Sequence, residues 1–214
     1  MNPVSRLRVG LVDHGAGNLV SVRWALEDLG VAVRVCSRPA QLAGCAALVV
    51  PGVGASGPAM ARLRRTGLDL AIRQAVGDGV WYLGLCLGLQ LLFERSDEDG
   101  AELLGLLAGH VRIVPDAPRL PHIGWNQVVE RRPHPLVTAL GPAGAAYFVH
   151  SYAAAPDDPA VVVAETEHGG WFPSIVAAER VLGTQFHPER SGRGGRRLLA
   201  AFVDLAEGRQ AAAA

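Results

Sequence analysis

The pentapeptide Gly84-Leu85-Cys86-Leu87-Gly88 constrains this chain more than any other segment. It follows the apolar run Val80-Trp81-Tyr82-Leu83 and opens a helical run from Leu87 to Phe93. A reactive side chain between glycines at a strand-to-helix junction has the layout of a nucleophile elbow. The glycines permit a tight turn and a close strand–helix approach that a Cβ would block. The turn lifts Cys86 clear of the sheet and sets it at a helix N-terminus, where the dipole favours an anion. A buried core cysteine is the plainer reading. The flanking glycines weigh against it, because a core strand gains nothing from them.

The 214 residues carry a formal net charge of zero, which gives no general attraction to nucleic acid or membrane. No apolar run reaches membrane-spanning length and no signal peptide opens the sequence. Cys36, Cys45 and Cys86 are too few and too scattered for a disulfide framework, so a reduced, cytoplasmic protein is expected. Every lysine or arginine position is Arg, which excludes Schiff-base and Walker-type lysine chemistry.

Strands are predicted at Arg8–Asp13, Ala32–Cys36, Ala47–Val50 and Val80–Leu85, with helices at Asn18–Leu29 and Pro58–Val76, the latter broken at Gly67. The continuous Val/Leu runs indicate strands buried on both faces, as in a parallel sheet between helices. The later part differs. Short strands at Val111–Val114, Gly124–Glu130, Ala145–Val149, Val161–Glu165, Ser174–Ala178 and Val181–Gln185 alternate with turns, several of them antiparallel, before a helix at Gly194–Leu205. The expectation is α/β: an open, mostly parallel sheet covered on both faces, with added antiparallel strands. Residues 1–209 are expected to form a single domain and 210–214 a frayed tail.

Pro51-Gly52-Val53-Gly54 follows the strand ending at Val50, where open α/β sheets bind ligands. It is either a plain turn or a loop that swings a backbone N–H toward a developing oxyanion. The segment Asp13 to Asn18 matches a dinucleotide fingerprint poorly and reads as a loop with Asn18 as helix cap. A thiolate needs a base and the base an orienting group. His187, in Gly183-Thr184-Gln185-Phe186-His187-Pro188-Glu189, ends a strand, and Pro188 holds it extended. Period-two geometry puts Glu189 on the same side, able to accept from one imidazole nitrogen. His110, His134 and His168 are expected to be solvated. Neither His-x-x-x-His nor Cys-x-x-Cys occurs, so no metal and no cofactor are expected.

The elbow, Pro51–Gly54 and Gly183–Glu189, in that order, resemble the motifs of class I (triad) glutamine amidotransferases over most of the chain. Pro121-His122-Ile123-Gly124-Trp125-Asn126, Tyr147-Phe148-Val149-His150-Ser151-Tyr152 and the opening Asp13–Leu19 are similar to those of the glutaminase subunits of imidazole glycerol phosphate synthases. The resemblance implies a flavodoxin-like fold with Cys86 as nucleophile, His187 as proton shuttle and Glu189 as its orienter. It implies an oxyanion hole from the backbone of Leu87 and a flipped peptide at Val53. Gly52, Gln90, Glu98, Ser151 and Tyr152 take positions that bind glutamine, with Asp97 and Asp99 as alternatives to Glu98. Asn18, Trp125 and Arg190 take positions facing a (β/α)8-barrel cyclase subunit, which receives ammonia for histidine biosynthesis. His14, Ser56 and Arg190 depart from common residues of the family and are expected near the partner surface. A glutaminase serving another synthase, a stand-alone γ-glutamyl hydrolase and a scaffold with a degenerate site are the competing readings. The Pro-His-Ile-Gly-Trp-Asn motif and the intact Cys, His and Glu disfavour them.

Overall fold

The structure, a computed structural model, describes residues 7–142 and 144–209. The tail expected to fray at 210–214 lies outside the described residues. Strands β1 (Arg8–Val12), β2 (Ala32–Cys36), β3 (Ala47–Gly52) and β4 (Trp81–Cys86) alternate with helices α1 (Leu19–Glu27), α2 (Ser56–Thr66) and α3 (Leu68–Gly77). A single turn, α4 (Leu87–Gln90), leaves β4 directly and ends sooner than the apolar run to Phe93 suggests. Then come β5 (Arg95–Ser96), β6 (Gly109–Ile113), β7 (His122–Gln127), β8 (Val129–Glu130), α5 (Pro135–Leu140), β9 (Ala145–His150) and β10 (Tyr152–Pro156). β11 (Val162–His168), β12 (Gly170–Ala178), β13 (Val181–Thr184) and α6 (Gly192–Ala206) complete the chain.

The main sheet runs β2-β1-β3-β4-β13-β12-β11-β8. The first five strands are parallel and the last three antiparallel. The expected α/β architecture is borne out. A buried parallel strand must be apolar on both faces. Here Val49, Leu83 and Leu85 pack toward α1 and α6, while Leu48, Val50 and Tyr82 pack toward α2 and α3. Helix α6 lays down Leu198, Leu199, Phe202 and Val203, each buried. Full burial of such a side chain contributes roughly 1.5–3 kcal/mol. The Gly67 break is real: its φ of 72° lies in the left-handed region, and it ends α2 and starts α3.

The later strands build two smaller sheets beside the main one, β10-β6-β5 and the antiparallel pair β7-β9. In the pair, His122 faces His150 and Trp125 faces Tyr147. Alternation then turns His122, Phe148 and His150 inward, where all three are buried, and leaves Ile123 and Trp125 exposed.

Candidate active site

Strand register assembles the site. Gly52 at the end of β3 pairs with Cys86 at the end of β4, and Thr184 of β13 pairs with Leu85. The carboxyl ends of three neighbouring parallel strands therefore carry Gly52, Cys86 and the segment leading to His187 side by side. Cys86 has φ 53°, ψ −105°, a conformation L-residues avoid. Such a residue costs of order 1–3 kcal/mol and persists where the surroundings enforce it. The enforcement is visible at Gly88, where any Cβ would collide with the Val50 carbonyl. The Tyr82 hydroxyl donates to the Gly88 carbonyl at 2.8 Å, fixing that peptide from below.

The Cys86 sulfur sits between an acceptor and a donor: the Val149 carbonyl at 3.8 Å and Gln185 Nε2 at 3.7 Å. His187 Nδ1 meets Glu189 Oε1 at 2.9 Å, with both side chains almost fully enclosed. The backbone of His187 is held as well. Its N–H donates to the Tyr147 carbonyl, and its carbonyl accepts from the Ser191 hydroxyl at 2.7 Å. His187 Nε2 is buried without a hydrogen-bond partner, yet the Cys86 sulfur stands close enough to favour the charged ring. Burial works against that charge, but Cys86 and Glu189 together outweigh it and push the His187 pKa up to about 10.

A cavity of about 210 Å³ opens over the sulfur, lined by Gly54, Cys86, Gln90, Glu98, Ser151 and Tyr152 among others. Of the acidic run, Asp97 approaches His110 at 3.8 Å and Asp99 accepts from the Gly57 N–H at 2.5 Å, which leaves Glu98 on the cavity wall. Burial and the neighbouring Asp99 raise its pKa, opposed by a bond from the backbone of Ser56. Gln90 Nε2 donates to the Tyr152 carbonyl at 2.7 Å and to Gln185 Oε1 at 3.2 Å. Leu87 opens α4, so its N–H lies among those with no intrahelical acceptor. Val53 is exposed in the loop between β3 and α2, and the next residue, Gly54, has φ 88°.

Two of the three departures from the family pattern are not on the surface. His14 is buried, with Nε2 2.6 Å from the Pro51 carbonyl, and it fills the space where Gly52 lacks a side chain. Ser56 is fully buried at the start of α2. Arg190 is exposed, its guanidinium 4.4 Å over the Tyr147 ring, and Trp125 meets the same ring edge-on. Asn18 caps α1, accepting from Ser21 N at 3.2 Å, and α1 packs against the turn carrying Arg190. Two histidines expected in solvent are engaged instead. His134 accepts from Leu136 N as the α5 cap, and His168 stacks on His122 at 4.1 Å. Gln185 stands outside the set of site residues expected from sequence, although it shares the strand-end face of His187 by the same two-residue period. Among the described residues no cluster of His, Cys, Asp and Glu has a metal-holding arrangement.

The model of the glutamine amidotransferase class-I family matches residues 10–205. The chain belongs to that family. Within this amidotransferase family it groups with proteins named imidazole glycerol phosphate synthase subunit HisH. One from Symbiobacterium thermophilum is 48% identical, covering 90% of this chain and 92% of its own length. Another from Xanthomonas axonopodis pv. citri is 46% identical, over 92% and 97%. The resemblance read from the motifs is borne out. Among solved structures, PurLQS from Thermotoga maritima superposes with TM-score 0.75 at 18% identity, covering 94% of this chain and 99% of the other. A crystal structure of a glutamine amidotransferase gives 0.73 at 24%, over 93% and 98%. At those identities the likeness speaks for the fold.

Proposed function

We propose that this chain is the glutaminase subunit of an imidazole glycerol phosphate synthase, hydrolysing glutamine to glutamate and ammonia. The observation that carries the reading is the convergence of Cys86, His187 and Glu189, drawn from two parts of the chain 101 positions apart in number, at the end of adjacent strands. The sulfur attacks the side-chain amide carbonyl of glutamine, and the C–N bond breaks as His187 Nε2 gives its proton to the leaving nitrogen. Water, deprotonated by the same nitrogen, then cleaves the thioester and releases glutamate. Glu189 stays ionised and holds the ring through Nδ1.

Two backbone N–H groups serve the oxyanion. Leu87 N–H is in place on the elbow, and the peptide of Val53 is the second once it turns inward. One such donor is worth about 3 kcal/mol of barrier. Gly52 lies against His14, and Gly17 of the loop after β1 approaches its Cα. That loop ends at Asn18, on the side proposed to meet the partner. Docking there completes the hole and prevents wasteful hydrolysis. Gly52, Gln90, Glu98, Ser151 and Tyr152 hold the amino-acid end of the substrate, with Glu98 meeting its ammonium group.

The partner is a (β/α)8-barrel cyclase that takes ammonia to form imidazole glycerol phosphate and an aminoimidazole carboxamide ribotide in histidine biosynthesis. It docks on the face carrying Asn18, Trp125 and Arg190. We read the chain as one amidotransferase domain acting in the cytoplasm without a cofactor; no helix among the described residues is long and apolar enough to cross a membrane. The test is glutamate release with and without the cyclase and its nucleotide ligand. A large rise on adding both is expected. Equal rates from the isolated chain would sink the gated hole, and no turnover in the complex would sink the function.

A further inference from the structure

Hydrogen-bond direction around Cys86 is fixed by groups that can act in only one sense. The N–H of Gln127 donates to Asn126 Oδ1 at 2.7 Å, so the other end of that amide is the donor. Asn126 Nδ2 meets the Glu167 carbonyl at 2.8 Å and His122 Nε2 at 3.2 Å. His122 Nε2 is therefore an acceptor, and the ring carries its proton on Nδ1. That Nδ1 faces His150 Nε2 at 3.2 Å, which must accept in turn. His150 then bears its proton on Nδ1 and donates to the Tyr152 carbonyl at 2.9 Å. A carbonyl only accepts, so the far end demands the same direction as the near end. Both rings are buried and neutral.

The Tyr152 carbonyl receives a second donor, Gln90 Nε2. Its two lone pairs are then filled, and Gln90 cannot turn its amide over without setting oxygen against oxygen. The remaining hydrogen of Gln90 Nε2 goes to Gln185, so the Gln185 atom there is Oε1. This leaves Gln185 Nε2 facing the Cys86 sulfur. Gln185 is fully buried, with no water-exposed alternative for its amide.

We infer that Gln185 presents an oriented N–H donor to the Cys86 sulfur, stabilising its anion, and that Asn126, His122 and His150 are positioning residues that keep this donor aimed by holding the Tyr152 carbonyl. The inference rests on Cys86 being the nucleophile. A thiol donates to the Val149 carbonyl; a thiolate has no proton to give and needs a donor, and Gln185 supplies one in addition to His187. Hydrogen bonds to charged groups are among the stronger ones.

The test is the rate at which iodoacetamide alkylates Cys86 in the full chain, located by peptide mass so that Cys36 and Cys45 do not interfere. Gln185→Met keeps the length and removes the donor. It should slow alkylation about tenfold at neutral pH, with the gap closing at alkaline pH, as a one-unit loss of anion stabilisation requires. An unchanged neutral rate overturns the inference, and so does an equal slowing at every pH, which reports access instead. The second pair guards against a folding artefact. In His150→Asn the amide nitrogen stands where Nδ1 stood and should keep the rate within about twofold, whereas His150→Gln places it at the Nε2 end and should slow alkylation several-fold, about half the logarithmic loss of Gln185→Met. Equal rates for the two variants overturn the positioning role. In the complex Gln185→Met and His150→Gln should lower kcat and leave KM in place, with His150→Asn close to the unmodified chain. Alkylation needs no glutamine, so a donor effect in a chain that turned over no glutamine would sink the proposed function and leave the donor standing.

Discussion

His187 and His150 lie close enough to feel each other's charge, and both are largely enclosed, yet they end in opposite states. Burial pushes the His150 pKa down to about 3, opposed by the bond to the Tyr152 carbonyl and reinforced by the nearby imidazoles of His122, His168 and His187. Burial acts on His187 in the same direction, but a thiol and a carboxylate reverse the result. What separates the charged ring from the neutral one is thus the presence of groups that become anions, and not depth. His122 follows His150: burial, then His168, lower its pKa to about 4.

The largest test of this contrast is Cys86→Ala. It should reduce glutamine-dependent synthesis by the complex on the order of a million-fold while sparing synthesis from ammonium salt. It should also move the His187 titration downward, read by NMR, because one of its two supports is gone. An unmoved His187 would leave Glu189 as the sole cause. Next is Glu189→Gln, expected to cut turnover by about three to four orders of magnitude. His150→Asn should leave turnover nearly intact, and comparable losses in the two would erase the distinction between them.

Stability against pH gives a smaller, two-sided test. His187 has a folded pKa above its unfolded value of about 6.5, so its contribution is complete below that value. It is lost as pH rises toward about 10. His122 and His150 have depressed folded values, so the unfolded chain binds more protons in acid, and their contribution is complete above about 6.5 and lost as pH falls toward 4 and 3. Urea midpoints should show His187→Asn flattening the alkaline limb and His150→Asn the acid limb. A swap of the limbs would refute the assignment. The smallest effect is expected from Trp125→Ala. Its side chain is on the outer face of β7, so stability of the isolated chain should change by less than about 0.5 kcal/mol by denaturation, while affinity for the partner falls by far more.

The parallel half of the fold was legible because β1, β3 and β4 are largely buried and written as apolar runs; the edge strand Ala32–Cys36, part-exposed and interrupted by Arg34, is also read with both ends correct. Strand ends were less so. β3 continues through Pro51 and Gly52 because Leu85 and Cys86 offer pairing partners there, which no local propensity encodes. Likewise β12 starts at Gly170, since pairing with β11 overrides the turn character of Gly170 and Pro173. β5 and β10 are likewise defined by their pairing with β6, and the six-residue α5 is too short to carry a helical period. At the site, residue types at fixed offsets revealed the cysteine, the imidazole and its carboxylate. The polar chain through His122, His150 and Gln185 did not emerge, because its logic lies in contacts between residues up to 99 positions apart.

The bond between Asp99 and the first turn of α2 has a consequence at a distance. Gly57 has no Cβ, and one placed there would lie 2.6 Å from Asp99 Oδ2. An alanine at that position would push Asp99 away and drag its neighbour Glu98 along the rim of the cavity. A helix residue outside the cavity lining thereby sets where the Glu98 carboxyl stands, and replacing it would move that wall of the cavity while leaving the sulfur and its imidazole as they were.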